Sequence, residues 1–203
     1  MKSGCPTIYF NSKRNKVRLH GGRVEKIHTN AQSAAFEAER LAQLHSAGLA
    51  VPRLLKVSGN IIFMEYIDAK PLPDLIDEWE RNPDIVSQEK AAKGLIDWLH
   101  AYYMAVGAGT SRGDINGRNF LFDGEKIWGV DFEEETHGTP MEDIGQLLAF
   151  ILTYHPDHTS LKVSLSNIIA RHAAEIFHLN PQEIQYHQNQ AVELIRARRN
   201  KKI

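Results

Sequence analysis

Short apolar runs rich in β-forming residues, separated by polar turn formers, dominate the first third of the chain. The segment VRLHGGRVEKI predicts a hairpin that turns at Gly21-Gly22, and RLLKVSGNIIFMEYI predicts a second hairpin that turns at Gly59-Asn60. Between them, SAAFEAERLAQLHSAG contains helix formers throughout, with Leu41 and Leu44 on one face and Gly48 as a stop signal. The first 67 residues are therefore expected to form short strands packed with one helix.

Helical periodicity dominates the rest of the chain. SQEKAAKGLIDWLHAYYMAVG has apolar side chains at the spacing of a buried helix face. NFLFDGEKIWGVDF interrupts this pattern and predicts a third hairpin, turning at Asp123-Gly124. We therefore predict an α+β fold with two lobes: an antiparallel-sheet N-lobe with a helix, residues 1–67, and a compact, mainly helical C-lobe, residues 68–203.

The amino-acid composition excludes few classes of protein. With 42% hydrophobic and 24% charged residues, the 203-residue chain is typical of globular proteins. Its 24 basic and 25 acidic residues give no overall preference for an anionic partner. The single cysteine, Cys5, excludes a disulfide framework and a cysteine-based zinc site, and favours a reducing cytoplasm. The first twenty residues lack a signal-peptide core, and IGQLLAFILTY is too short to span a bilayer, so we expect a cytoplasmic protein without a membrane anchor.

The stretch SRGDINGRNF contains the strongest candidate chemistry. Asn119 begins the third hairpin and Asp131 ends it, so antiparallel pairing is expected to bring both near its open end, with Asp114 just upstream. Carboxylate and amide oxygens suit Mg²⁺, and a remaining carboxylate can accept a proton from an attacking hydroxyl. This is the phosphoryl-transfer arrangement of kinases, with Asp114 as base and Asn119 and Asp131 as metal ligands. The alternative is a loop whose Asp and Asn cap local turns.

Two motifs near the N-terminus are typical of a nucleotide site in kinase order. Lys26 lies on the strand before the first helix, where kinases keep the lysine that pairs with ATP phosphates. FMEYID looks like a kinase hinge, in which Met64 precedes the hinge and the Glu65 carbonyl and Ile67 amide face adenine. Taken alone, each motif also fits a solvated lysine or an ordinary buried strand.

Two acidic residues, Glu37 and Asp143, are candidates to support the predicted kinase-like site. Glu37 shares the inward face of its helix with Leu41 and Leu44, whereas Glu39 points to the opposite side, so Glu37 is the predicted partner of Lys26. Asp143 lies twelve residues after Asp131, near the start of a helix. It is predicted either to brace the catalytic loop or simply to complement the helix dipole.

From about Lys26 to Phe150, these motifs together resemble the protein-kinase-like superfamily. Within it, FEAERLAQLHSAGLAVPRLL and DIGQLL look like aminoglycoside phosphotransferases and their small relatives. The chain length and basic end are most similar to the small atypical kinase subunit of the KEOPS tRNA-modification complex. The resemblance implies a two-lobed kinase fold that binds ATP and magnesium, with Ser/Thr kinase or ATPase activity.

Several positions depart from the kinase pattern. Arg112 replaces the usual histidine before the catalytic aspartate, and we expect it to pair with Asp143 or with one of the acids that follow VDF. The residue after VDF is usually glycine, but here it is Glu133, followed by Glu134 and Glu135, and these three acids would repel ATP unless a metal or arginine offsets them. FNSKRNK lacks the glycines of a phosphate-covering loop, so Lys13, Arg14 or backbone amides are the candidate phosphate contacts there.

Two further segments, RARRNKK and HPDH, are candidate functional segments. RARRNKK is expected to be a mobile charged end after a docked apolar segment, and it is either a solvated tail or a contact for an RNA or protein partner. Its cations are Arg196, Arg198, Arg199, Lys201 and Lys202. HPDH, from His155 to His158, has helical metal-ligand spacing but lacks an acidic or cysteine partner in an evident motif.

Two classes of function remain open from the sequence. The set Lys26, Glu37, Asp114, Asn119 and Asp131 favours an ATP- and magnesium-dependent phosphotransferase or ATPase whose acceptor is a protein, a small molecule or water. The departures above favour a pseudokinase or an RNA-associated binding module without turnover. A small-molecule phosphotransferase of aminoglycoside or choline type is a further alternative.

Overall fold

The computed structural model of the protein describes residues 7–10, 12, 14–107, 109–134 and 136–200. The chain divides into two compact units, Met1–Asp68 with Val130–Glu133, and Ala69–Gly129 with Glu134–Ile203. Among the described residues the strands are β1 (Ile8–Phe10), β2 (Lys16–His20), β3 (Arg23–Ile27), β4 (Leu54–Ser58), β5 (Ile61–Glu65), β6 (Lys70–Pro71), β7 (Thr110–Ser111), β8 (Phe120–Phe122), β9 (Ile127–Gly129) and β10 (Thr136–His137). The helices are α1 (Ala31–Ser46), α2 (Leu72–Arg81), α3 (Ile85–Val106), α4 (Pro140–Thr153), α5 (Ser160–Phe177) and α6 (Pro181–Asn200), with a 3-10 turn at Gly117–Asn119.

The first unit is a five-stranded antiparallel sheet, in the order β1-β2-β3-β5-β4, with α1 packed against β4 and β5. The β2–β3 and β4–β5 hairpins form as predicted. Gly21 and Gly22 both have positive φ at the first turn, the backbone conformation that favours glycine. Helix α1 begins after Asn30, whose side chain accepts from the Ser33 amide at 2.8 Å. The helix thereby points its buried face, which includes Leu41 and Leu44, at the sheet.

The second unit is mainly helical. Its two main helix pairs are α3 with α5 and α4 with α6. Helix α4 begins with a capping box, in which Thr139 and Glu142 satisfy each other's backbone amides. Helices α4 and α6 approach closely at Gly145, where a β-carbon would lie 2.6 Å from the His187 side chain. A larger residue at position 145 would therefore push the two helices apart.

A small sheet, in the order β6-β8-β9, belongs to the same unit. The predicted third hairpin is β8–β9, with Phe120 opposite Gly129. The Asp123 carboxylate organises the connecting turn, because it accepts from the amides of Glu125 at 2.8 Å and Lys126 at 2.9 Å. The residues before and after this hairpin are the ones that the sequence assigns to chemistry.

The architecture confirms the predicted α+β fold, with an antiparallel-sheet N-lobe and a mainly helical C-lobe. The short segment Val130–Glu133 packs with the first unit, which the sequence does not predict. None of the helices within the described ranges combines the length and the apolar character that a bilayer-spanning helix needs.

Candidate functional site

Lys26 is the centre of a charged cluster in the first unit. It lies on the middle strand β3, between Val17 of β2 and Ile62 of β5, and is only 4% exposed. Its ammonium group lies 2.8 Å from Glu37 Oε2, 2.6 Å from Asp131 Oδ1 and 2.6 Å from Glu133 Oε1. The structure thus brings together three of the residues that the sequence assigns to nucleotide and metal, Lys26, Glu37 and Asp131, and adds Glu133.

Glu37 is the better placed of the two candidate glutamates on α1. It is buried on the inward face of the helix, whereas Glu39 is exposed. Besides contacting Lys26, Glu37 accepts a hydrogen bond from the Phe132 backbone amide at 3.2 Å. One carboxylate therefore fixes both the lysine and the backbone segment that carries Asp131.

The cluster is unbalanced in charge, because one ammonium group meets three carboxylates. Burial alone would lower the pKa of Lys26, but Glu37, Asp131 and Glu133 together raise it above its ordinary value, so the lysine stays charged. Burial and the nearby Asp131 carboxylate raise the pKa of Glu133, although Lys26 opposes that shift. If every group is charged, the four side chains sum to −2.

Two further polar residues join this cluster and escaped the sequence analysis. The Asn15 side-chain amide, in the turn between β1 and β2, donates to Glu133 Oε1, the oxygen that also contacts Lys26. His28 Nε2 lies 3.1 Å from Glu37 Oε2. His28 is two residues beyond Lys26, and this period-two spacing along an extended segment is the one signal that could have identified it.

His28, Glu37 and Glu133 are side chains of metal-ligating type whose atoms come within 4.8 Å of one another in the described part of the chain. The Lys26 ammonium lies at hydrogen-bond distance from both carboxylates of this trio. The positive charge that these acids surround is therefore the lysine itself.

Asp131 has an unusual backbone. Its φ is 67°, in the left-handed region that non-glycine residues seldom adopt. Its side chain remains 39% exposed while Oδ1 contacts Lys26. Such backbone conformations persist where surrounding contacts hold them, and they are enriched at functional sites.

A second group of predicted residues forms the loop before β8 in the second unit. The backbone carbonyl of Asp114 accepts from the Arg112 guanidinium at 2.7 Å and from the Asn119 side-chain amide at 3.1 Å. This arrangement leaves the Asp114 carboxylate exposed and directs the Asn119 amide oxygen away from that carbonyl. The loop therefore presents one carboxylate and one amide oxygen, which suit the base and ligand roles that the sequence suggests.

Asp143 is buried behind this loop and binds it from α4. Its carboxylate accepts from Ser111 Oγ at 2.7 Å, from the Arg112 backbone amide at 2.8 Å and from the Tyr103 hydroxyl. Burial and the adjacent Asp143 carboxylate raise the pKa of Tyr103, which keeps its proton for this bond. The position fits the predicted brace for the loop backbone.

Arg112, the residue in place of the usual histidine, is 2% exposed. Its guanidinium lies 4.9 Å from the Phe120 ring centroid and 5.8 Å from that of Trp98, within range of cation–π attraction. Arg112 binds Asp143 with its backbone N–H, which donates to the Asp143 carboxylate. Of the other expected guanidinium partners, Glu133 belongs to the first unit and Glu134 to the same unit as Arg112. Glu135 lies outside the described residues.

The predicted adenine-facing residues lie at the end of the first unit. Met64 is buried on β5 opposite Val24. The Glu65 amide donates to the Arg53 carbonyl at 3.0 Å, and Ile67 follows the strand with a half-buried side chain. Contact of these residues with adenine stays a prediction.

The basic end of the chain is more ordered than the sequence suggests. Helix α6 continues to Asn200, and the Arg199 guanidinium donates to the Thr153 carbonyl of α4 at 2.6 Å. The expectation of a mobile charged end is therefore wrong for Arg199, whereas Arg196 and Arg198 are exposed. Lys201 and Lys202, like the candidate phosphate contact Lys13, lie outside the described residues.

The residues present fit a divalent cation of the magnesium type. Asp131 offers a partly exposed carboxylate and Asn119 an amide oxygen, both hard oxygen ligands. Asn119 belongs to the second unit and Asp131 to the first, so their convergence on one ion stays a prediction. In HPDH, by contrast, His158 contacts its neighbour Asp157 at 3.3 Å, and that motif gains no support as a metal site.

Comparison with known proteins agrees with a kinase-like fold. A solved choline/ethanolamine kinase family protein from Mesorhizobium loti superimposes with a TM-score of 0.51, covering 95% of this chain and 87% of that one. At 16% sequence identity, this likeness concerns the fold alone. The RIO domain family model matches residues 9–142, and the chain therefore belongs to this family of atypical kinase-like proteins.

A curated relative supports the same assignment over part of the chain. The EKC/KEOPS complex subunit BUD32 of Encephalitozoon cuniculi is 32% identical over 96 residues. The match covers 47% of this chain and 44% of that protein. The chain therefore spans less than half the length of this relative.

Proposed function

We propose that the protein is an ATP- and magnesium-dependent phosphotransferase or ATPase of the atypical kinase type. The observation that carries the proposal is the buried Lys26, held at once by Glu37 from α1 and by Asp131 after β9. A buried lysine that is kept charged and positioned by carboxylates suits the binding of a nucleotide phosphate. Membership of the RIO domain family supports the same general chemistry.

The remaining roles follow the kinase scheme. Asn119 and Asp131 hold the magnesium ion, which when bound neutralises phosphate charge. Asp114 orients the attacking hydroxyl or water and accepts its proton, and its exposed carboxylate is open to an acceptor. Met64, Glu65 and Ile67 contact adenine. The acceptor is a protein, a small molecule or water, and the loop geometry favours none of them.

Binding of Mg-ATP tests the proposal directly. A hundredfold excess of ligand over its dissociation constant stabilises a folded protein by about 3 kcal/mol, so Mg-ATP should raise the melting temperature. We expect Lys26→Met to lose this response, because the ammonium group that meets the phosphates is gone. Lys16→Met, on the neighbouring strand with an exposed lysine, should keep it.

The thermal-shift titration uses the 203-residue chain with ATP and either MgCl₂ or excess EDTA. An unchanged melting temperature for the unmodified chain at millimolar Mg-ATP would contradict the proposed function. So would an equal shift in Lys26→Met and in the unmodified chain.

We propose further that an anionic partner, RNA or a protein, contacts the exposed arginines Arg196 and Arg198. The relative BUD32 is a complex subunit, which supports the idea of a partner. Truncating α6 would disturb the buried Ile195 and the Arg199–Thr153 bond, so point variants are the cleaner probe.

For single-stranded RNA, each lost phosphate contact lowers the magnitude of the salt slope by about 0.7. The variant Arg196→Ser with Arg198→Ser should therefore reduce the slope of log affinity against log salt by about 1.4. Fluorescence anisotropy with a labelled oligonucleotide measures this slope. Equal RNA affinity and slope in both proteins would rule out these arginines as the RNA contact, and a slope change without loss of the fold would support it.

A further inference from the structure

Glu133 occupies a position that a phosphate group would need if the proposed function is correct. Its Oε1 atom lies 2.6 Å from the Lys26 ammonium and accepts from the Asn15 side-chain amide. A charged nitrogen and a neutral N–H donor directed at one oxygen are also what binds a phosphate oxygen. Glu133 is largely buried, with a side chain 17% exposed, so it is part of the cluster and not a surface acid.

We propose that Glu133 stands in for a nucleotide phosphate oxygen and makes nucleotide binding depend strictly on a divalent cation. This inference rests on the proposed function and specifies what form of nucleotide the site accepts. A phosphate that approaches Lys26 must displace the Glu133 carboxylate or share the lysine with it. Free ATP and its magnesium complex are expected to differ sharply in their ability to do so.

The charges of the cluster supply the physical reason. Glu37 and Asp131 already neutralise more than the single charge of Lys26, and Glu133 adds a third negative charge at 2.6 Å. An incoming metal-free triphosphate would therefore meet net repulsion beside Lys26, which is 4% exposed, so that solvent screens these charges weakly there. A divalent cation on the phosphates offsets that repulsion, and Asp131 and Asn119 are the ligands that suit it.

Asn15 links the same carboxylate to the segment between β1 and β2, which the sequence predicts to cover the phosphates. Asn15 is 8% exposed, so its contact with Glu133 is enclosed. Since this bond is between an amide and a carboxylate, removing Asn15 eliminates a donor but leaves the excess negative charge in place. Variants at the two positions therefore separate the effect of charge from the effect of the turn.

The experiment measures ATP affinity by isothermal titration calorimetry with MgCl₂ and with excess EDTA at constant ionic strength. The deciding quantity is the ratio of the two dissociation constants, metal-free over metal-bound. Glu133→Gln should lower this ratio by at least about tenfold, chiefly by strengthening metal-free binding, because one nearby negative charge is removed. Glu39→Gln loses the same charge from an exposed site on α1 and should leave the ratio unchanged.

Asn15→Ala should also leave the ratio close to that of the unmodified chain. If the glutamine variant fails to fold, Glu133→Ala provides the same loss of charge with a smaller side chain. An unchanged ratio in the folded Glu133 variants, while the unmodified chain binds Mg-ATP, overturns this inference and leaves the proposed function standing. Failure of every protein to bind ATP with or without magnesium overturns both.

Discussion

An Asp114→Asn variant is expected to bind Mg-ATP as well as the unmodified chain does but to turn it over at least about 10²-fold more slowly. The Asp114 backbone carbonyl, not its carboxylate, holds the loop through Arg112 and Asn119. The substitution therefore leaves those contacts intact and removes only the proton acceptor. Affinity and turnover should separate, which a merely structural role would not produce.

Asp131→Ala should behave differently, because Asp131 is assigned to the metal and contacts Lys26. It should weaken Mg-ATP binding and abolish turnover together. Release of ADP in a coupled assay and calorimetric binding measure the two quantities for both variants.

The control for this comparison is Asp77→Asn on α2. Asp77 is exposed, and its backbone carbonyl, not its side chain, accepts from Arg81. This variant should match the unmodified chain in binding and turnover. Wild-type turnover in Asp114→Asn would show that Asp114 is not the base.

The second large effect concerns stability. Asp143→Ala should lower the free energy of unfolding by about 3 kcal/mol or more, because three buried donors lose their acceptor and each unsatisfied donor costs about 1–3 kcal/mol. The donors are the Tyr103 hydroxyl, Ser111 Oγ and the Arg112 amide. Urea denaturation followed by circular dichroism gives this value.

Two further variants, both expected to cost less stability than Asp143→Ala, serve as comparisons for that prediction. Tyr103→Phe removes one donor and leaves Asp143 with its other two, so its cost should be about 1 kcal/mol. Asp77→Ala, at an exposed aspartate on α2, should have little effect. Equal stability of Asp143→Ala and Asp77→Ala would mean that Asp143 does not brace the loop.

The sequence predicts the elements better than the contacts between them. Hairpins at Gly21-Gly22 and Gly59-Asn60 follow from local turn chemistry, and the structure confirms both. The choice of Glu37 over Glu39 rests on helical periodicity, and the structure buries Glu37 against Lys26 while Glu39 stays exposed. Local patterns therefore suffice where one element determines which way a side chain faces.

Contacts between distant segments lack such a signal. Asn15 and Glu133 are separated by 118 positions, and nothing near either residue indicates that they meet. The sequence indicates that Glu133 is an acid that would repel phosphate, but it does not predict the contact of Glu133 with Lys26. Arg199 likewise looked like part of a solvated tail, although the helix that carries it extends far enough to reach Thr153.

The first unit is built from two separate stretches of chain. Phe132 is buried in this unit, and its backbone amide binds Glu37, although the residues on both sides of Val130–Glu133 belong to the second unit. If the chain were cut after residue 68, the first unit would lose Phe132, and Lys26 would lose the carboxylates of Asp131 and Glu133. Any exchange of the first unit between relatives must therefore transfer two pieces of sequence together, and the second piece is only four residues long.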